Sequence, residues 1–291
     1  MKIKKLCKKT IAESMYWCYR YGICRNHLRV LDIDKTIQRL IDTEDSFVRF
    51  GDGEIRLIEG DGLPLQKCDP CLSKRLAEIL QMNQKRLMIG IPDIFTSLEK
   101  YRHESQMFWK EHLLFYRKKY ERYCDEQLVY YDAFFSRLYY MYHDRELSRK
   151  RFERIKNIWK DKDVVVIESK SAHTGVDNDL LEKAKSVRRI LCPESNAFDY
   201  YDKLLKIALT MENGAMFLIS AGPTAKLLVV DLLQKGYRAL DIGSLDMEYQ
   251  WYCMRAEEKC HPPKKNCMTE EQDLEAGYTA YLSQIIYRIK E

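Results

Sequence analysis

Seven short runs of aliphatic, β-branched or aromatic residues, separated by longer stretches with helical periodicity, constrain how this 291-residue chain can fold. They are Phe47–Phe50, Leu87–Ile91, Leu128–Tyr131, Val164–Ile167, Arg189–Cys192, Met216–Ser220 and Ala239–Ile242. Short strands alternating with helices are the pattern of an α/β protein on a mainly parallel sheet. Several runs are apolar throughout, as strands covered on both faces must be. The expected architecture is Rossmann-like: a mainly parallel sheet with helices on both faces.

The stretch from Pro223 to Gly236 reads as a helix between the last two strands, with proline in its first turn and glycine as its stop. Residues 96–122 and 148–160 carry charged and aromatic helical patterns, expected either to cover the sheet or to form an inserted helical layer. The organisation read from this is a basic amphipathic helical segment at 1–31, one α/β domain at 32–260, and a linker with a closing helix at 261–291. The linker is His261 to Asn266, and the closing amphipathic helix runs from about Glu270 to Lys290. In the first segment Ile3, Cys7, Ile11, Met15 and Cys18 fall near one helical face. Packing of that face on the domain is the preferred reading, and a helix lying on anionic lipid is the competing one.

Basic and acidic residues number 49 and 44, so the net charge of +5 does not argue for nucleic acid as a partner. Ten scattered cysteines without an apolar signal region read as reduced thiols, and the expected location is cytoplasmic, at the inner face of the membrane if the first segment binds lipid. Cys68 and Cys71, and the loose group Cys253, Cys260, His261 and Cys267, are weak zinc candidates.

Three clusters carry chemistry. Arg49-Phe-Gly51-Asp52-Gly-Glu54 follows a strand, where α/β sheets place their ligand crevices. Two carboxylates there would repel a bare pyrophosphate, so a bridging cation, acceptor contact or general base fits better than a dinucleotide fingerprint. An Asp-Gly turn starting a helix is the purely structural alternative. Ser220-Ala-Gly222-Pro223-Thr224 leads from a strand into a helix N-terminus, whose free N–H groups and dipole favour phosphate. Asp241-Ile-Gly-Ser-Leu-Asp246-Met-Glu248 ends the last strand, and Asp246 and Glu248 converge on a cation only if the backbone is extended or turning there. Ordinary capping of a helix stands against that reading.

Together these segments resemble the GT-D-fold bacterial glycosyltransferases. The resemblance spans roughly residues 46–255 and includes Phe-Ser-Arg137, Gly-Val-x-Asn178-Asp-Leu, Arg-Ile-Leu-Cys-Pro at 189–193 and Asn196-Ala-Phe. It implies a GT-D-like α/β fold, a nucleotide-diphosphate sugar donor with UDP-glucose foremost, and a divalent cation, Mn²⁺ or Mg²⁺, tied to an Asp-x-Glu motif. It therefore points to Asp246 and Glu248 as metal ligands, with Asp52 and Glu54 orienting or deprotonating the acceptor. The acceptor it implies is a glycan, lipid-linked or protein-linked, in surface glycan synthesis. Ser244 and the segment Ser171–Gly175 depart from the family pattern.

The chemistry is consistent with these residue types, because a departing nucleoside diphosphate gains negative charge that a carboxylate-held cation and helix N–H groups offset. Arg49, Gly51 and Arg137 are further candidates for phosphate contact, with a surface or carboxylate-paired role as the default for the two arginines, and Asn178 and Asn196 are candidates for donor contact or for local capping. A metal-dependent phosphoesterase would use the same acidic clusters. A non-catalytic nucleotide- or partner-binding protein would keep the fold alone.

Overall fold

The protein is described by a computed structural model for residues 2–260 and 276–290, with side chains for 7–260 and 279–290. Nine strands form one sheet: β1 (Arg29–Val30), β2 (Ser46–Arg49), β3 (Leu87–Ile91), β4 (Val129–Asp132), β5 (Asp163–Ser169), β6 (Ser186–Cys192), β7 (Met216–Ser220), β8 (Arg238–Asp241) and β9 (Ile285–Arg288). Their order is β1-β4-β3-β2-β8-β7-β5-β6-β9, and every neighbouring pair is parallel. The Rossmann-like expectation therefore holds.

Alternation along each strand divides the core between the two sheet faces. Phe47, Met88, Val164, Val166 and Leu218 belong to one cluster, and Val48, Ile89, Val165, Ile167 and Phe217 to the other. Both faces are covered by helices: α1 (Lys2–Arg20), α2 (Ile33–Asp42), α3 (Asp52–Ile58), α4 (Pro70–Leu80), α5 (His103–Tyr123), α6 (Arg145–Ile155), α7 (Tyr201–Ala208), α8 (Thr224–Gln234) and α9 (Leu245–Cys253). From β2 the chain builds outward through β3 to β4, while β8 closes against the opposite side of β2. The sheet thus reverses its build direction between β2 and β8, where α/β sheets open a crevice at their strand C-termini.

Several expectations are corrected. The two-residue β1 is too short to leave a period in the sequence. The closing helix, expected from about 270 to 290, spans Ala276–Gln284 and then gives way to β9. Ile285-Ile-Tyr-Arg288 is β-branched and aromatic, and it pairs with the otherwise open edge of β6. The proposed linker at His261–Asn266 lies outside the described residues.

The first segment does pack on the body, but not through the face read from the sequence. Ala12 and Tyr16 are the buried positions of α1, set against α5, whereas Ile11 is 51% and Met15 38% exposed. Aromatic Tyr16 and Trp17 replace the aliphatic stripe as the docking surface, and Tyr16 accepts a hydrogen bond from the Leu98 N–H. Among the described residues, no helix is long and apolar enough to cross a membrane.

Candidate active site

A cavity of about 740 Å³ opens at the C-terminal ends of β2 and its neighbours. Its lining brings together Arg49, Gly51, Asp52 and Glu54 from the first cluster, Gly222 and Pro223 from the second, and Arg137 from Phe-Ser-Arg. Segments nearly 170 positions apart in the sequence meet here because β2 and β7 flank β8 and aim their C-terminal ends at the same crevice. α8 begins at Thr224, with Pro223 at its cap; the Gly222–Pro223 turn lies on the cavity wall, while the Ala225 and Lys226 N–H groups donate to Gly222 O (3.2 Å) and Pro223 O (3.4 Å). Thr224 itself is fully buried and does not line the cavity; its Oγ1 has no hydrogen-bond partner among the described residues.

Arg49 and Glu54 on the cavity lining belong to an array of four charges whose other members, Lys226 and Asp241, are buried behind it. Lys226 Nζ lies 2.6 Å from Glu54 Oε1 and 2.9 Å from Asp241 Oδ2, and Arg49 Nε is 3.4 Å from Asp241 Oδ1. Glu54 Oε2 accepts a 2.7 Å hydrogen bond from Gly51 N–H, closing the N-terminus of α3. Burial pushes the Glu54 carboxyl up, but Lys226, Arg49 and the Gly51 N–H outweigh it and hold it below the ordinary carboxylate value. Glu54 is therefore an ionised partner of Lys226, and its pairing with Asp52 ends at sequence spacing. Asp52 also lines the cavity and has no hydrogen bond or ion pair to any described residue.

Gly243 fixes how Arg49 is presented. A Cβ at Gly243 would lie 1.6 Å from Arg49 Nη2, so the guanidinium crosses the space a side chain would fill. The residue's φ of +45° is also one that glycine adopts without strain. Neither Lys226 nor Asp241 was singled out from the sequence. Lysine in a helix's first turn opposes the helix dipole, and that was the available signal.

Asp246 and Glu248 are placed differently from the expectation. α9 begins at Leu245, so the two carboxylates stand in a helical first turn, where positions i and i+2 diverge. Asp246 Oδ1 accepts from Gly175 N–H (2.7 Å) and Asn178 Nδ2 (3.0 Å), holding the 174–178 turn. Glu248 Oε2 accepts from the N–H groups of Tyr139 (3.0 Å) and Tyr140 (2.9 Å), fixing the segment that carries Arg137 and Tyr140 to the cavity. Neither residue lines the cavity; Glu248 Oε1 is buried without a hydrogen-bond partner among the described residues. Burial raises the Glu248 carboxyl, against the lowering effect of the Tyr140 N–H and Arg137. Among the described residues, no group of three or more His, Cys, Asp or Glu side chains is placed to hold a metal ion.

The two asparagines tie loops together. Asn178 Oδ1 accepts from Leu180 N–H in a turn, and no helix begins there for it to cap. Asn196, at φ +51°, accepts from Lys67 N–H (2.8 Å) and donates its own N–H to Leu65 O (2.8 Å). It thereby pins the 63–66 loop that forms one cavity wall. The opposite wall, missed in the sequence, is aromatic and polar: Glu104, Phe108, Trp109, Phe134, Tyr140 and Lys259.

A doubly covered parallel sheet that opens a crevice beside a helix N-terminus at its switch point is the arrangement in which Rossmann-like folds bind their ligands. The profile of the glycosyltransferase GT-D fold matches residues 47–270, and the chain belongs to that family. A structure described as a new glycosyltransferase (DUF1792) from Streptococcus sanguinis is 37% identical, with a TM-score of 0.82 over 90% of this chain and all of that one. A second, described as the highly conserved domain of unknown function 1792 with a distinct glycosyltransferase fold, is 35% identical with a TM-score of 0.84, covering 96% of this chain and 99% of that one. The probable glycosyl transferase Gly of Streptococcus gordonii is 40% identical over 91% of this chain but only 39% of its own length. Glycosyltransferase GlyD of Streptococcus pneumoniae is 35% identical over 90% of this chain and 33% of its own. The chain thus spans well under half the length of these curated relatives.

Proposed function

We propose that this chain transfers a hexose, glucose foremost, from a nucleotide-diphosphate sugar to a glycan, lipid-linked or protein-linked acceptor. The observation that carries this reading is the convergence of Arg49, Asp52, Arg137 and the α8 N-terminus on one 740 Å³ cavity, within the size range of small-molecule sites. The diphosphate belongs against Gly222 and Pro223, where the positive end of the α8 dipole and the two arginines meet negative charge as it develops on the leaving group. The acceptor enters from the aromatic wall.

Asp52 is the residue that would hold Mn²⁺ or Mg²⁺, since such ions take one or two carboxylates and complete their shells with phosphate oxygens and water. Bound there, the cation would offset charge on the departing diphosphate. Asp246 and Glu248 instead support the walls. Calorimetry of UDP with and without Mn²⁺ tests this division. Asp52→Asn is expected to lose the metal-dependent part of the affinity and Asp246→Asn, once shown to be folded, to keep it; the reverse pattern would return the metal to Asp246. Product analysis tests the reaction, because cleavage of phosphate esters without sugar transfer would make the chain a phosphoesterase.

A further inference from the structure

We infer that the outer face of α1, with the adjoining face of α5, seats this chain on an anionic phospholipid bilayer. Charge is the first observation. α1 carries Lys2, Lys4, Lys5, Lys8, Lys9 and Arg20 against the single carboxylate Glu13, a surplus of five that equals the net charge of the whole chain. Everything outside this helix is therefore balanced. Glu13 also turns toward the body, accepting from Lys110 Nζ at 2.7 and 2.8 Å and from Trp17 Nε1 at 2.9 Å.

Apolar side chains are exposed on the same two helices. Ile11 and Met15 face outward on α1, and Phe115, 52% exposed, faces outward on α5 with Lys8 Nζ 5.5 Å from its ring centroid. Just past α1, Tyr21 and Ile23 are about three-quarters exposed. Apolar groups flanked by lysines are the composition of interfacial helices, where the first enter the acyl boundary and the second meet anionic headgroups. A nucleic-acid backbone would satisfy the lysines and leave the apolar groups without a use.

A shallow groove of about 110 Å³ between the two helices supplies the second observation. Met15, Tyr19, Phe115, Arg117 and Lys118 are among its lining residues. Arg117 is only 5% exposed, and its guanidinium carbon lies 3.7 Å from the Tyr19 ring centroid. It forms no ion pair with a described residue, and its Nη1 is buried without a hydrogen-bond partner among them. Glu121 acts on its charge without pairing with it, so the open Nη1 donor is the group that a lipid phosphate reaching into the groove would meet.

The placement also suits the site. Phe108 lines the cavity seven residues before Phe115 on the same helix, about 10 Å along its axis. A bilayer under Phe115 would lie beside the cavity mouth, as a lipid-linked acceptor would require. That last clause rests on the proposed function, whereas vesicle binding does not.

The test is co-sedimentation of the full chain with vesicles of phosphatidylcholine alone and of phosphatidylcholine with phosphatidylglycerol. Binding is expected only to the anionic vesicles, reversed by high salt. Met15→Glu with Phe115→Glu should abolish it, and Lys8→Ser and Lys9→Ser should weaken it by about fivefold each. Lys8, Met15 and Phe115 are exposed, Lys9 is half-buried, and none of them lines the cavity, so unchanged near-UV circular dichroism and UDP affinity should accompany the loss. Equal binding to neutral vesicles, no binding to either, or indifference to the Met15/Phe115 substitutions would overturn the inference. Self-association removed by the same substitutions, without vesicle binding, would assign the face to a second copy instead.

Discussion

Lys226 Nζ lies 2.6 Å from Glu54 Oε1, with the lysine fully buried and the carboxylate nearly so. This ion pair separates the roles of two acids that look equivalent in sequence. Glu54 is neutralised from within the protein, and Asp52, two residues earlier, is the carboxylate left facing the cavity.

Removing one member of this array leaves the others buried and unpaired. Lys226→Met is therefore expected to destabilise the fold by about 3–5 kcal/mol. Adding Glu54→Gln should recover part of that loss, since the two changes are strongly coupled. Urea unfolding midpoints of the two single variants and the double variant measure both effects. The pH dependence has a defined sign. The folded-state Glu54 pKa is below its ordinary 4.5, so its contribution is fully present above that pH and is lost as pH falls through the lower folded value. The stability gap between wild type and Glu54→Gln should accordingly narrow on acidification below 4.5.

Gly243→Ala should displace Arg49, because no rotation of the methyl group avoids the guanidinium lying across it. The expected loss in UDP affinity is about 1.5–3 kcal/mol, the worth of a hydrogen bond to a charged group. Gly236→Ala is the control. It imposes a comparable positive-φ strain at +88° with nothing within 4 Å of the new methyl. It should lower the melting temperature without changing UDP affinity.

These two cases show what could be read before the fold was known. The seven apolar runs and the Gly222-Pro223 helix start are local properties, and the sheet with its cavity followed from them. Segment meetings are not local. The partnership of Lys226 with Glu54 joins positions brought together only by strand order, and Arg49 crossing Gly243 depends on the β2–β8 junction. The α1 stripe was misjudged for a related reason. Helical periodicity finds an apolar face, but Tyr16 and Trp17 offered a larger surface on the other side, and that surface won the contact with α5. The Asp246–Glu248 spacing was ambiguous in the same sense, since it converges in extended chain and diverges in a helix.

His112 supplies a pH dependence away from the charged array. Burial and the nearby Arg56 push its pKa down to about 4, and its ring stacks on Tyr116 at a centroid distance of 4.7 Å. The unfolded chain binds the proton from 6.5 downward and the folded one only near 4, so stability is complete above pH 6.5 and falls between 6.5 and 4. The loss expected from this group is about 3 kcal/mol. His112→Phe should flatten that limb of the stability curve, as thermal melts across the range would report.

Glu248 offers the sharpest discrimination between structural and metal-binding roles. Its Oε2 accepts the Tyr139 and Tyr140 N–H groups, and Glu248→Ala would leave both buried donors unpaired. That costs about 1–3 kcal/mol for each donor. It should also weaken UDP binding, since Arg137 and Tyr140 flank the released segment and line the cavity. Glu248→Gln keeps a carbonyl oxygen in the same place and removes only the charge, which burial already disfavours. If Glu248 positions the wall, the glutamine variant should retain near-wild-type stability and Mn²⁺-dependent UDP affinity while the alanine variant loses both. If it holds the metal, the neutral amide should lose the Mn²⁺ dependence as fully as alanine does. Calorimetry on the two variants at one pH, with their unfolding midpoints, separates these outcomes.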